Sequence, residues 1–465
     1  MWTKIRYMEH VNYFLNKNFL KIKTIFAFFN FKSNKQPSVQ ALTKKMKNMD
    51  KRTFLKTITG SVMAFSSLDK MLAESVHQSP ETVAQDEAFW AEVRKGFRLK
   101  PDYINLENGY YLMQSEEVLD GFVKNVREIN YQASYYMRTR QFDDKTEVRS
   151  KLAKMLGCSV DELIITRNTT ESLDTIIAGF DWEKGDEAVM AEQDYGAMLD
   201  MFALQARRFG SINKIISLPN NPKNDDEIVA LYENALTSKT KLLLISHIVN
   251  ITGHILPVKK ICDMAHRKGV EVLVDGAHAF AHIDFSINDL GCDYYGSSLH
   301  KWLGCPLGAG LLYVKKDKIE KLWQMFGDRG FKDDDIRKLN HTGTHPVHTD
   351  LTIENAIAFH NKIGIARKEA RMRFLQNYWT DKVRGLPHIV LNTPTNATRS
   401  CGIANVGVDT LKPAELAKTL LEKHKIWTVA IDYANVHGVR VTPHIYTSLA
   451  ELDAFVKALK TISGS

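Results

Sequence analysis

The sequence predicts an α/β protein in which helices cover both faces of a mostly parallel sheet. Two observations carry this prediction. Short apolar segments of strand length alternate with segments of helical periodicity over roughly 200 residues, which is the pattern of repeated βαβ units. One apolar segment, residues 271–275, ends in the carboxylate of Asp275. Because open parallel sheets bind ligands beyond the C-terminal ends of their strands, this carboxylate indicates a ligand site.

The elements of the large sheet are expected in regular order. Helices are predicted over 87–97 and 118–128, with a short strand entering a turn at 104–109 between them. The strands that follow are predicted at 163–166, 187–190, 214–218, 241–246, 271–275 and 309–314. The helices between them are predicted over 171–179, 199–209, 226–236 and 257–268. Continuous apolar runs of this length are typical of strands that are buried on both faces.

A smaller α+β domain is expected after the large sheet. One long helix is predicted over 353–383. The remaining elements are strands at 388–391, 402–406, 427–430 and 438–441 and helices over 413–424 and 448–462. The expected organisation is therefore an N-terminal tail (1–80), a large domain (81–345) and a linking helix with the small domain (346–465). Residues 81–106 are candidates for packing on the small domain.

Charge is unevenly distributed along the chain. Residues 1–75 carry 14 of the 62 Lys and Arg residues and 4 of the 54 Asp and Glu residues, so the basic balance lies in this segment. The remainder is nearly neutral and gives no electrostatic reason to expect nucleic acid as a partner. The five cysteines are widely spaced and form no C-x-x-C pair, which argues against a disulfide framework and against a metal site.

The N-terminal tail contains a candidate export signal at about 49–75. Lys51 and Arg52 precede a mild apolar run over 58–68, which resembles a twin-arginine signal with lysine in the first position. The apolar knot at 26–29 is too short to span a membrane, so no stable membrane span is expected. Localisation stays open between export to the periplasm and a cytoplasmic enzyme with a basic tail.

The segment 297–304, which follows the strand predicted at 271–275, indicates lysine chemistry. Lys301 lies beside His300 and follows two serines, among apolar and small residues. A strand-end aspartate followed by such a lysine is the arrangement that pyridoxal 5′-phosphate (PLP) chemistry needs. The lysine amine forms a Schiff base with the cofactor aldehyde, and Asp275 pairs with the protonated pyridine nitrogen.

The pattern Asp275-x-x-His278 with Ser298-x-His300-Lys301 resembles the fold-type I PLP-dependent enzymes. Within them it is similar to the class V aminotransferase family, which includes cysteine desulfurases and isopenicillin N epimerase. The resemblance implies a large domain with a mostly parallel seven-stranded sheet and a small α+β C-terminal domain. It also implies that Lys301, Asp275 and His278 are the catalytic residues.

The same resemblance implies further cofactor contacts. It assigns the phosphate to hydroxyl, imidazole and backbone groups of Thr169, Thr170, Ser298 and His300. Judged without the resemblance, the alternative for residues 167–172 is a simple helix N-cap that binds no phosphate. Tyr195 matches an aromatic residue that stacks on the pyridine ring, and Asn250 and His278 match residues near the phenolic oxygen. Thr344 matches a threonine that reaches the phosphate of a neighbouring subunit, which implies a homodimer with shared active sites.

Substrate contacts are expected at two places. Arg440 matches the family arginine that holds the α-carboxylate in a two-pronged hydrogen bond, although Thr442 stands where serine is usual. Asn108 and the tyrosines after it are similar to the epimerase-like branch. Arg138 and Arg140 are expected either to meet an acidic or extended substrate side chain or to lie on a solvated helix face.

The resemblance is much less specific to reaction than to family. No cysteine lies between Gly402 and Ser465, where the desulfurases carry their mobile nucleophile, so desulfurase activity is not expected. The predicted function is a PLP-dependent enzyme that acts at the Cα of an amino-acid substrate and resembles isopenicillin N epimerase. The alternatives are a transaminase or C–S lyase of the same family, a PLP-binding protein without turnover, and a non-enzymatic exported scaffold that has lost the cofactor.

Overall fold

A computed structural model describes residues 67–465 of the chain. Lys51, Arg52 and most of the candidate export signal lie outside these residues. Among the described residues, the helix α1 (Ser67–Glu74) belongs to a separate unit that ends at Val76, and His77–Ser465 form one compact unit. Among residues 67–465, no helix has both the length and the apolar character needed to cross a membrane.

The second unit contains the remaining elements. Its helices are α2 (Pro80–Ala84), α3 (Glu87–Arg94), α4 (Glu116–Gln132), α5 (Ser134–Thr139), α6 (Gln141–Leu156), α7 (Thr169–Gly179), α8 (Gly196–Phe209), α9 (Asp225–Ala235), α10 (Val258–Arg267), α11 (Ile287–Leu290), α12 (Val347–Ile363), α13 (Ile365–Val383), α14 (Pro413–His424) and α15 (Leu449–Ser463). Its strands are β1 (Ile104–Asn105), β2 (Leu163–Thr166), β3 (Glu187–Ala191), β4 (Ile212–Ile216), β5 (Thr240–Ser246), β6 (Glu271–Asp275), β7 (Tyr294–Ser298), β8 (Gly310–Val314), β9 (Ile389–Leu391), β10 (Ala404–Val408), β11 (Ile426–Trp427), β12 (Val429–Tyr433) and β13 (Val436–Val441).

The large sheet of the described chain has seven strands in the order β2-β8-β7-β6-β5-β3-β4. Every neighbouring pair is parallel except the two that involve β8, which runs antiparallel to β2 and to β7. This confirms the predicted mostly parallel seven-stranded sheet. Leu242, Leu273 and Met190 are fully buried in one cluster with apolar side chains of α7 and α8, which explains why the strands read as continuous apolar runs.

One strand of this sheet, β7, was absent from the sequence prediction. Its residues are all buried, yet Tyr-Tyr-Gly-Ser-Ser offers no apolar run. The reason is close packing against α7. A Cβ on Gly296 would come within 2.8 Å of Leu173 Cδ2 and 2.9 Å of Ser172 Cβ, so the strand needs small residues where it meets the helix.

The single long helix predicted over 353–383 is wrong. The chain forms two helices, α12 and α13, which are separated at Gly364. Gly364 has φ +88°, a left-handed conformation that residues with a Cβ rarely adopt. The break turns the chain, so that Leu375, Trp379 and Val383 of α13 enter the core of the small domain.

The small domain contains an antiparallel sheet in the order β12-β13-β10-β9. Its apolar side chains are buried against α13, α14 and α15, including Val406, Val439 and Phe455. The helices predicted over 413–424 and 448–462 are confirmed within one residue at each end. The predicted strand 427–430 is two strands, β11 and β12.

An earlier segment of the chain is attached to this small domain. Strand β1 pairs in parallel with β11, and Leu106 is buried in the small-domain core. The N–H of Thr442 donates to the carbonyl of Leu106 at 2.7 Å. Residues 107–110 therefore begin next to the end of β13, the strand that carries Arg440.

Candidate active site

The ends of three parallel strands bring the predicted catalytic residues together. In the register of the sheet, Ser246 of β5 lies opposite Asp275 of β6, and Asp275 lies opposite Gly296 of β7. The N–H of Gly276 donates to the carbonyl of Gly296 at 2.8 Å, which holds the two chains together just beyond β6. The turn after β6 and the segment after β7 therefore start side by side.

Lys301 and His278 meet at this place. The Lys301 Nζ lies 3.0 Å from Nε2 of His278. Desolvation lowers the pKa of Lys301 to about 8, while the carboxylate of Asp275 acts in the opposite direction. An amine with this pKa is unprotonated far more often near neutral pH than an ordinary lysine, which suits a nucleophile that attacks a carbonyl group.

Asp275 is buried, and its Oδ1 accepts a hydrogen bond from the N–H of Ala277 at 2.9 Å. Burial raises the pKa of this carboxyl, and the nearby amine of Lys301 opposes the rise. Burial also lowers the pKa of His278 well below its usual value, with Lys301 and Arg440 contributing. The histidine ring is therefore neutral. The hydrogen bond from Ala277 holds the Asp275 carboxyl in place.

A hydroxyl cradle lies at the N-terminus of α7. The N–H and the hydroxyl of Thr169 both bond to Ser298 Oγ, at 2.8 and 2.7 Å. Asn168 caps the helix by accepting from the N–H of Glu171 at 2.9 Å. The N–H of Thr170 has no partner among the described residues. A free N–H, two hydroxyls and the positive end of a helix together fit an anion such as a phosphate.

His300 borders the same region. Its Nδ1 is buried and has no hydrogen-bond partner among the described residues. Burial lowers its pKa to about 4, so the ring is neutral. A buried nitrogen without a partner is open to a polar ligand at this place. With the cradle, Lys301 and Asp275, the residues present fit PLP.

Tyr195 immediately precedes α8 and is 48% exposed. The residue before it, Asp194, was not among the site residues predicted from the sequence. Asp194 is buried, and its carboxylate accepts from Ser246 Oγ at 2.7 Å and from the N–H of Ala191 at 2.8 Å. Burial raises the pKa of Asp194 to about 7. These bonds attach the turn that carries Tyr195 to the ends of β3 and β5.

Thr344 lies on a loop and is exposed in the described part of the chain. The other predicted residue of the region, Asn250, is half-buried, and its backbone carbonyl accepts from Nη1 of Arg440 at 3.3 Å. The contacts predicted for Thr344 and for the side chain of Asn250 stay predictions.

Arg440 is buried and paired with a carboxylate of the protein itself. Its Nη2 lies 2.5 Å from Oε1 of Glu107, and its Nε donates to Oε2 at 3.1 Å. The Glu107 side chain is 7% exposed and also accepts from the N–H of Tyr110. Glu107 and Asn250 together use three of the five N–H groups of the guanidinium. One N–H on each terminal nitrogen has no partner among residues 67–465.

Asn108 is fully buried, and its amide is committed to protein partners. Its Nδ2 donates to the carbonyl of Thr442 at 2.7 Å, and its Oδ1 accepts from Asn105 at 2.9 Å and from the hydroxyl of Tyr446. These bonds hold residues 105–110 on the end of β13. The structure thus gives Asn108 a scaffolding position, and its contact with substrate stays a prediction.

Arg138 and Arg140 lie on the exposed surface of the second unit. Arg140 forms an ion pair with Asp144 at 3.1 Å. This arrangement favours solvent contact over the recognition of a substrate side chain.

Comparisons with known proteins agree with this geometry. The family model for aminotransferase class-V matches residues 113–455. The chain is 26% identical over 412 residues to isopenicillin N epimerase of Streptomyces clavuligerus, covering 81% of this chain and 99% of that protein. It is also 26% identical over 366 residues to a probable cysteine desulfurase of Halalkalibacterium halodurans, covering 74% of this chain and 88% of that protein.

Solved structures have the same fold. The apo cysteine desulfurase of Thermococcus onnurineus superimposes with a TM-score of 0.72 at 20% identity, covering 80% of this chain and 98% of that chain. A C-DES mutant with glycine covalently linked to the PLP cofactor superimposes with a TM-score of 0.71 at 22% identity, covering 79% and 98%.

The Glu107–Arg440 pair predicts a test of stability. Glu107→Gln keeps the shape of the side chain but leaves a buried guanidinium without its counter-ion, so we expect unfolding to become easier by about 2–4 kcal/mol. The midpoint of urea denaturation, followed by circular dichroism, measures this loss. Asp263→Asn is the control, because it removes the carboxylate of an exposed pair with Lys259 and should change little. Equal effects of the two substitutions would contradict the prediction.

Proposed function

Because the chain belongs to the class-V aminotransferase family of PLP-dependent enzymes, we propose that it acts at the Cα of an amino-acid substrate with Lys301 as the covalent anchor of the cofactor. One observation carries the proposal. The Lys301 amine, with its pKa lowered to about 8, lies 3.0 Å from His278 and beside the strand that ends in Asp275. A desolvated amine next to a neutral imidazole and a strand-end carboxylate suits attack on a carbonyl group.

Each end of the cofactor has a matching group in the proposal. Asp275 would hold the protonated pyridine nitrogen, and Thr169, Thr170, Ser298 and His300 would hold the phosphate. Tyr195 would stack on the ring, and His278 and Asn250 would interact with the phenolic oxygen. When bound, PLP supplies an electron sink for the negative charge that develops at the substrate Cα.

The residues of the chain provide binding and proton transfer. The free N–H groups of Arg440 hold the substrate carboxylate, and Glu107 keeps the guanidinium from rotating. A fixed carboxylate sets which bond at Cα stands perpendicular to the cofactor ring, and this orientation decides which bond breaks. The Lys301 amine takes and returns a proton, which a pKa of about 8 allows near neutral pH.

The cysteines favour the epimerase-like outcome over desulfuration. Cys401 is buried just before β10, and burial raises its pKa strongly. Cys262, Cys292 and Cys305 are buried too, and burial raises the pKa of the half-buried Cys158 to about 12. A persulfide-forming enzyme needs a mobile thiolate. Epimerisation is therefore the first proposal, with transamination and C–S lysis as the alternatives within the family.

Absorbance and product analysis test the function as a whole. The purified protein is expected to be yellow, and a panel of amino acids should shift its absorbance and yield product. Chiral analysis separates epimerisation from transamination and from elimination. Shifts without any product would support the PLP-binding protein without turnover. A colourless protein that takes up no added PLP would refute the proposal.

Lys301→Ala should lose the covalent cofactor and at least about 10³ in rate, because attachment and proton transfer both depend on the amine. The absorbance spectrum and the mass of the borohydride-reduced protein measure attachment. Lys338→Ala is the control, since that buried lysine donates to the carbonyl of Glu320 and lies in another part of the fold. Full turnover of Lys301→Ala would remove the lysine from the mechanism.

Arg440→Lys should lower kcat/KM by a factor that corresponds to a loss of roughly 2–4 kcal/mol of transition-state stabilisation. The cofactor absorbance should stay unchanged. An ammonium can still pair with Glu107, but it cannot present a planar pair of N–H groups to the substrate. Steady-state kinetics with the best amino acid of the panel measure the change, and Arg337→Lys on the exposed surface is the control. Near wild-type kinetics would show that Arg440 does not hold the substrate.

A homodimer with shared sites is a further part of the proposal, and it rests on the match of Thr344 to the family threonine that reaches the phosphate of a neighbouring subunit. Lys301→Ala and Thr344→Ala proteins, each weakly active, should regain about a quarter of the wild-type sites when mixed and reassociated, because half of the dimers then carry one intact site. Activity of the mixture and mass by light scattering measure this. A monomer at working concentration would end the idea.

A further inference from the structure

The imidazole of His278 lies between two nitrogen-bearing side chains. On one side, Nε1 of Trp302 is 3.2 Å from His278 Nδ1. On the other side, Lys301 Nζ is 3.0 Å from His278 Nε2. An indole N–H only donates, so Nδ1 of His278 must accept. Because the buried ring is neutral, its single proton is then on Nε2 and points at the lysine amine.

We propose that Trp302 is a positioning residue that fixes His278 in the Nε2–H tautomer and thereby keeps the Lys301 amine as a hydrogen-bond acceptor in its unprotonated form. An ammonium has three donors and no lone pair, so it cannot accept from Nε2–H. This inference rests on the proposed function for its meaning, since the amine is the proposed cofactor anchor. It adds a residue that touches neither cofactor nor substrate in that scheme.

The indole is held so that it has one orientation. Trp302 is 1% exposed and stacks on the ring of His282, with centroids 3.6 Å apart and an angle of 18° between the planes. His282 Nδ1 donates to the carbonyl of His278 at 2.7 Å, which ties the stacking partner to the residue that Trp302 controls. The backbone carbonyl of Trp302 accepts from the buried amine of Lys368. These contacts keep the indole N–H directed at His278.

Loss of the indole N–H has a defined consequence. The neutral ring of His278 is then free to carry its proton on Nδ1, and Nε2 becomes an acceptor for the Lys301 ammonium. This stabilises the charged amine and raises its pKa. The other groups that act on Lys301, namely Asp275, Glu107 and Arg440, stay in place, as does neighbouring His300. The tautomer is therefore separable from the fixed charges.

Nitrogen NMR tests the tautomer directly in the unaltered apo-protein. The protein is labelled with ¹⁵N-histidine, and the His278 signals are assigned by their loss in His278→Gln. We expect a protonated Nε2 and an unprotonated, hydrogen-bonded Nδ1. The opposite tautomer, or a doubly protonated ring near neutral pH, would overturn the inference. This measurement needs no change at Trp302.

Trp302→Phe tests the effect on the lysine. The apo-protein is treated with a small aldehyde and a mild reductant across a range of pH, and modification of Lys301 is followed by peptide mass spectrometry. Without the indole N–H, the midpoint should rise by about one pH unit, so that modification near pH 7 slows about tenfold. Trp323→Phe is the matched control, because that tryptophan is 67% exposed and donates to Asp181 at 3.2 Å.

The outcomes separate this inference from the proposed function. An unchanged midpoint in folded Trp302→Phe, as judged by circular dichroism, would overturn the inference while PLP attachment in the wild type is unaffected. A shifted midpoint together with a wild-type protein that never attaches PLP would overturn the proposed function and leave the role of Trp302 standing. If Trp302→Phe does not fold, the NMR measurement decides.

Discussion

The site depends on the register of β5, β6 and β7. Asp275 lies opposite Ser246 on one side and Gly296 on the other, so the chain leaves all three strands at the same level. This register places a carboxylate, an imidazole and an amine within one buried region, where low polarity raises the pKa of Asp275 and lowers the pKa values of His278 and Lys301. A slip of one residue would turn Asp275 to the other face of the sheet and disassemble the group.

The small domain supplies the other half of the site. Strand β13 carries Arg440, and residues 105–110 are fastened to the same strand by Leu106, Asn108 and Thr442. The Glu107–Arg440 pair is therefore built within one part of the fold, the small domain and the segment attached to it. Gly109 completes it, because a Cβ there would approach Cζ of Arg440 to 3.3 Å. In the proposed function, the groups that recognise the substrate belong to one sheet and the reactive groups belong to the other.

Sequence reasoning succeeded where local pattern and chemistry coincide. β6 is a continuous apolar run, and the residues after it carry a specific motif, so Asp275, His278 and Lys301 were correctly expected to lie together. It failed where the determinant is tertiary. β7 is buried without being apolar, since Gly296 must fit against α7. A single glycine within a helical pattern did not reveal the break at Gly364. Glu107 was missed because its partner is 333 residues away in the chain.

The ion pair between Glu107 and Arg440 has a consequence for comparing related chains. A buried charge without a partner is costly, so positions 107 and 440 are expected to change together rather than one at a time. A relative with the arginine but without the glutamate must find its counter-ion elsewhere, and the nearest candidate is the ligand itself. Relatives therefore fall into two groups. In one, the arginine is neutralised by the protein before the ligand binds. In the other, the ligand itself supplies the counter-ion.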